Sequence, residues 1–178
     1  MLAHIEPAIC DRARLEEVES LRWNSRAVFT ALDDIAARSA TWTETPISAV
    51  TLLNRTTQIC VGLHGVPDSV DIGERRLHRH AIPVEWAFCA PLVASGRPHV
   101  VPDPRRHPDY AEHPFVTRFG LQSYLGVPLI SSIGQILGGH CVLSTAPHDS
   151  HITDVLALEM GAAKAVAILE STRGFTGW

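Results

Sequence analysis

The sequence predicts an α+β domain built on a mainly antiparallel sheet, and two observations carry that prediction. Two pairs of strand-like runs, residues 47–54 with 57–65 and 123–130 with 135–144, are each joined by a short turn, as hairpins require. Apolar residues recur at helical spacing at the two ends of the chain, so the helices lie outside and the strands inside.

Taken in order, residues 11–22 place Leu15, Val18 and Leu21 on one helical stripe behind Asp11, a helix N-cap. Residues 25–40 repeat the pattern with Val28, Leu32, Ile35 and Ala36. The first hairpin follows. Residues 67–85 are polar and read as loop, and 98–103 ("PHVVPD") as a short strand stopped by prolines. Residues 103–120 ("DPRRHPDYAEHPFVTRFG") are broken by prolines and predict only short helical turns. The second hairpin leads to a terminal helix over 150–170, capped by Ser150 or Thr153. Its apolar residues cover most of the circumference, so it needs cover on more than one side.

Composition narrows the function. A chain of 178 residues with 46% hydrophobic and 19% charged residues predicts one domain with a core of its own. A net charge of −4 without a basic block gives no electrostatic footprint for nucleic acid or an anionic membrane. No cationic start followed by an apolar run marks a secretory signal, and no apolar stretch is long enough to span a bilayer. Cys10, Cys60, Cys89 and Cys141 are scattered, forming neither a paired motif nor a disulfide framework, so reduced thiols in the cytoplasm are expected.

Four segments in order resemble the GAF domain family, in the subgroup of bacterial sensory proteins. "ISAVTLLNRTTQICVGLHGVP" resembles its first hairpin, and "WAFCAPLVASGRPHVVPD" its Phe-Cys helix with a strand ending in Val-Pro-Asp. "DPRRHPDYAEHPFV" resembles its Asp-x-Arg-x-x-Pro-x-aromatic loop, and "YLGVPLISSIGQILGGHCVLS" its Gly-Val-Pro-Leu hairpin. The resemblance implies a central antiparallel sheet of five to six strands. Terminal helices pack on one face, and a small-molecule pocket lies under short helices and loops on the other. It implies a helical extension over residues 1–24, the domain over 25–170 and a tail over 171–178. It also implies a homodimer through the terminal helices. No output domain fits the remaining residues, so a signal would pass to a separate protein, unless this chain is cut from a longer one.

The resemblance makes Trp86, Phe88, Tyr110, Phe115 and Tyr124 the aromatic lining of the pocket, with Cys89, Asp103, His113 and His140 as its polar candidates. Cys89 stands among Trp86, Ala87, Phe88, Ala90 and Leu92, an apolar setting that raises a thiol pKa, so it reads as a small buried hydrophobe. Asp103, just before Pro104, reads as an acceptor for loop N–H groups. Ala87 and Ser144 stand where the subgroup often has serine and aspartate, each removing a polar group near the pocket.

His140 has two readings. It shares a strand face with Val142, opposite Cys141 and Leu143, while Leu125, Val127 and Leu129 form an apolar face suited to the terminal helices. Tyr124, Gly126 and Pro128 then face the pocket. Without the register, His140 is either a core histidine bonded to a backbone carbonyl or a donor in the pocket.

Chemistry is weighed against this. The free methionine (R)-sulfoxide reductases of the family place a cysteine in the loop after the Val-Pro-Asp strand, and residues 104–120 have none. Cys60 would substitute only if the hairpin lay against the Phe-Cys helix. Bilin attachment needs a cysteine in the same loop. Haem or metal ligands are not expected, although His107 and His113 flank Asp109 and Tyr110, and the His78–His80 pair reads as solvated. The expectation is a non-catalytic sensory domain for an unidentified small molecule. A thiol reductase using Cys89 and a ligand-free dimerisation module are the alternatives.

Overall fold

In the computed structural model, residues 5–66, 74–76 and 79–173 are described. Two short helices, α1 (Glu6–Ile9) and α2 (Arg12–Ser20), precede the long α3 (Arg26–Trp42). The strands β1 (Ile47–Leu53), β2 (Thr57–His64), β3 (Glu74–Arg76) and β4 (Arg79–Pro83) follow. Then come α4 (Ala90–Ser95), β5 (His99–Val101), α5 (Pro114–Thr117), β6 (Ser123–Ile130), β7 (Ile136–Ser144) and α6 (Ile152–Ser171).

The strands form one sheet in the order β3-β4-β2-β1-β7-β6-β5, and every pairing is antiparallel. Both hairpins form where the sequence predicts them. β3 and β4 lie inside the stretch expected to be loop, which corrects that expectation. The short apolar run Ala81–Ile82 buries against β2, with Ile82 opposite Gln58, and the charged residues around it hide the strand from pattern reading. His78 of the expected solvated pair lies outside the described residues.

A bulge in β2 decides what each face carries. Leu52 pairs Ile59 and Thr51 pairs Cys60, but Val50 pairs Gly62, so Val61 is an extra residue. Val61 then packs with Leu32, Leu52, Leu129 and Leu158 in the core under α3 and α6. Leu125, Val127 and Leu129 join that core, as the alternation of β6 predicts.

The register settles His140. Val127 and Val50 both lie opposite it, so its side chain points to the helix face and not to the pocket. This overturns the pocket reading, and the physical reason is the β6–β7 register. The ring is fully buried, with Nδ1 3.0 Å from the Ala49 carbonyl oxygen and Nε2 2.7 Å from Ser39 Oγ on α3. A carbonyl only accepts, so Nδ1 carries the proton and Nε2 accepts from the Ser39 hydroxyl. Burial pushes the His140 pKa down to about 4, against the opposing bond to Ala49. Gly161 of α6 covers the pair. A Cβ there would lie 2.8 Å from His140 Nε2 and 3.1 Å from Ser39 Oγ.

The helix ends follow elementary capping rules. Asp11 accepts from Arg14 N–H at 2.8 Å and Ser25 from Val28 N–H at 3.3 Å. At α6 the cap is His151 rather than Ser150 or Thr153, with the Asp154 carboxylate accepting from His151 N–H at 2.8 Å. The buried Arg14 guanidinium ties α2 to the sheet by donating to the Leu53 carbonyl at 2.6 Å and to the Ile136 carbonyl at 3.3 Å. Among the described residues no helix is long and apolar enough to cross a membrane.

Gly161→Ala forces α6 off the His140–Ser39 pair and lowers stability by about 1–3 kcal/mol in urea unfolding; an unchanged midpoint would show that the contact yields freely. His140 and His113 both have pKa values lowered to about 4 by burial. Both groups are neutral when folded, so their stabilisation is complete above pH 6.5 and is lost as pH falls toward 4, each by on the order of 3 kcal/mol at most. NMR titration finding either ring protonated near pH 6.5 in the native protein would contradict this.

Candidate functional site

On the opposite face of the sheet, a cavity of about 370 Å³ opens over β1, β2, β6 and β7. Period-two alternation brings Ala49 and Thr51, Gln58 and Cys60, Cys141 and Leu143, and Tyr124 to its floor and walls, and the bulge in β2 adds Leu63. Its cover comes from Phe88 and Cys89, just before α4, and from Phe115, Phe119 and Leu121 in and after α5. Helix α4 sits directly on the strand backbone because residue 139 is glycine. A Cβ at Gly139 would lie 2.8 Å from Leu92 Cδ1 and 2.9 Å from Cys89 Sγ. A cleft of about 590 Å³ between α2 and the β1–β2 turn is larger, but its Arg12–Glu16 ion pair is solvent-exposed and water suits it.

Phe88 holds the cover together. Its ring stacks on Tyr110 at 4.6 Å and meets His113 edge-on at 4.5 Å, with Tyr124 at 5.1 Å and Phe115 at 6.3 Å. Tyr110 is bonded through its hydroxyl to His99 Nε2 at 2.8 Å, and burial pushes its pKa up to about 12. His113 caps α5, its Nδ1 accepting from Phe115 N–H at 3.1 Å. His107 Nδ1 accepts from Asp109 N–H at 3.2 Å. Among the described residues no group of three histidine, cysteine or acidic side chains is placed to hold a metal ion.

The expected site residues therefore divide. Phe88, Cys89, Phe115 and Tyr124 line the cavity. Tyr110 and His113 lie behind Phe88 and brace it. Trp86 turns outward, with the Arg118 guanidinium 5.8 Å from its ring centre. Asp103 caps the turn Pro104–Arg106 and pairs with Arg105 at 2.8 Å, which holds its carboxyl below the usual range and keeps it out of the cavity. His140 lies on the other face. Sequence reasoning missed Thr51, Gln58 and Leu63. The alternation of β1 and β2 could have found the first two, whereas the bulge hides the third.

The thiols have neighbours in space unlike their neighbours in the chain. Cys60, Cys89 and Cys141 all line the cavity, so the hairpin does lie against the Phe-Cys segment. Cys89 Sγ is 3.4 Å from both Thr51 Oγ1 and Tyr124 Oη. Thr51 Oγ1 also lies 3.1 Å from the Gly139 carbonyl, so its single proton serves one acceptor at a time. The Cys141 S–H, with Thr51 and Tyr124, favours the Cys89 thiolate and lowers its pKa despite burial. Cys141, as the donor to that thiolate, is raised, and burial raises it further. This corrects the expectation that the apolar neighbours of Cys89 raise its pKa.

A sheet with helices on one face and a covered cavity on the other is the architecture of a GAF-type domain. The chain belongs to the GAF domain family, whose model matches residues 29–168. It is similar in fold to the GAF domain from Acinetobacter phosphoenolpyruvate-protein phosphotransferase, at 15% identity and a TM-score of 0.62, covering 90% of each chain. It is also similar to free methionine-R-sulfoxide reductase from Neisseria meningitidis in complex with its substrate, at 21% identity and a TM-score of 0.62, covering 95% of this chain and 86% of that one. A third is the domain of a putative two-component sensor histidine kinase protein from Sinorhizobium meliloti 1021, at 12% identity and a TM-score of 0.59, covering 84% and 95%. No curated protein sequence matches the chain.

Removing one donor tests the thiol environment. Tyr124→Phe raises the apparent pKa of Cys89 by about one pH unit in the pH dependence of its alkylation. An unmoved profile would mean that Tyr124 does not bond the thiolate.

Proposed function

We propose that this GAF domain is a non-catalytic sensory or regulatory module that binds a small molecule in the cavity beneath Phe88 and Cys89. The observation that carries this reading is the cavity itself, whose floor is rigid sheet and whose cover is a short, proline-broken segment. A ligand there touches Phe115, Phe119 and Leu121 of that segment, and it shifts the domain only so far as it binds the two states unequally. The sheet is joined through Ser39 and His140 to α3, so a change in strand geometry reaches the terminal helices. A separate signalling protein then reads those helices.

The same helices support a homodimer. Ile152, Leu156 and Met160 stand four residues apart on α6, and with Trp42 of α3 they leave 71%, 53%, 61% and 75% of their surfaces exposed. Ala163→Glu or Met160→Glu converts the dimer to monomer in sedimentation velocity; a dimer surviving both would count against this face. For ligand binding, Ala49→Trp fills the cavity floor. Compounds that raise the melting temperature of the wild type then lose their effect, whereas identical responses from both proteins would remove the reading.

A thiol reductase is the second reading, favoured by the lowered pKa of Cys89 beside two further cavity thiols. In that reaction Cys89 attacks the sulfoxide sulfur, methionine leaves, and the oxygen stays on Cys89 as sulfenic acid. Cys60 or Cys141 then displaces water to form a disulfide, which an external dithiol reduces. Turnover of free methionine (R)-sulfoxide that Cys89→Ser abolishes would establish it; no turnover by the wild type with dithiothreitol present ends it.

A further inference from the structure

We infer that the cavity selects a small, uncharged and largely apolar molecule bearing one hydrogen-bond donor, and that the carboxamide oxygen of Gln58 receives that donor. The inference rests on the reading of the cavity as a ligand site.

Gln58 lines the cavity on β2 and is 6% exposed. Its Oε1 is buried and has no hydrogen-bond partner among the described residues. The backbone of β2 gains nothing from a glutamine here, because residue 58 pairs regularly with Leu53 on one side and Ile82 on the other. Its same-face neighbours are Cys60, Leu63 and Ile82, where an apolar side chain would fit and would leave nothing unsatisfied. A buried amide oxygen without a donor is a standing cost to the empty protein, and a ligand that supplies the donor recovers it.

The Thr51 and Tyr124 hydroxyls face Cys89 Sγ, and Thr51 also reaches the Gly139 carbonyl. Gln58 Oε1 is the buried side-chain acceptor of this lining that has no partner among the described residues. None of the described lining residues is Asp, Glu, Lys, Arg or His. A charged ligand would lose its hydration without gaining a counter-charge from them. The volume of about 370 Å³ matches roughly a dozen non-hydrogen atoms, taking about 30 Å³ for each water-sized unit. A bicyclic aromatic alcohol has this size and this single donor. A free amino acid sulfoxide, being a zwitterion, does not have this character, so the inference also separates the sensory reading from the reductase.

The test uses two probes of nearly equal shape, 2-naphthol and 2-methylnaphthalene, which differ in the donor alone. Equilibrium dialysis of the full chain at neutral pH should show 2-naphthol bound about ten-fold more tightly than 2-methylnaphthalene. Gln58→Met keeps the side-chain length and removes the oxygen. It should erase the preference, and the empty variant should melt at the same or a higher temperature than the wild type. Equal binding of both probes by the wild type, or a preference unchanged in Gln58→Met, overturns the donor inference while leaving the cavity as a binding site. A markedly lower melting temperature for the empty variant also overturns it, because Gln58 would then hold the fold. Binding of neither probe by the wild type overturns the inference together with the ligand-site reading on which it rests.

Discussion

The pairing register of β1, β7 and β6 is the constraint on which both faces of this domain depend. Side chains alternate with a period of two, so a slip of one residue would exchange the faces entirely. His140 would enter the cavity, and Cys141 would press against α3 and α6. The observed register places His140 opposite Val50 and Val127, where the Ala49 carbonyl and Ser39 hydroxyl satisfy both ring nitrogens. Such a buried polar pair fits one register and no other. Gly161 lets α6 close over it, and the apolar residues of both helices complete the core. The helix face therefore fixes the sheet, and the fixed sheet presents the cavity face.

That cavity face is built with a different economy. Its strands contribute small or slender side chains, Ala49, Thr51, Cys60 and Cys141, so the space above them is not filled from below. It is roofed instead by one aromatic cluster centred on Phe88. Tyr110 and His113 brace that ring from behind, each held by a bond of its own, Tyr110 to His99 and His113 to the Phe115 N–H. The cover is consequently well packed while the chain that carries it contains only short helical turns. Three thiols face that one cavity, and this is why two readings of function arise from a single place.

Much of the fold was legible in the residues. The hairpins at 47–65 and 123–144, the long helices and the short turns of 103–120 follow from periodicity and prolines, and Asp11 caps α2 as its position implies. The site was less legible, for identifiable reasons. Faces of a strand can be read from alternation, but the relative register of two strands cannot, which left His140 open. A bulge breaks alternation without a signature residue, so Val61 and Leu63 change faces unannounced. Charged neighbours concealed β4 and with it the burial of Gln58. Cys89 misled because its neighbours in the chain are apolar, whereas its neighbours in space are the hydroxyls of Thr51 and Tyr124 and the thiol of Cys141.

An accessible apolar cavity lies on the sheet face opposite α3 and α6. Methyl NMR under xenon pressure tests it most directly, since xenon enters apolar cavities without needing a specific partner. Saturable shifts are expected at Ala49, Leu63, Leu121 and Leu143, with Leu125, Val127 and Leu158 on the helix side unmoved. Shifts spread evenly over both faces, or none at the four cavity positions, would contradict it.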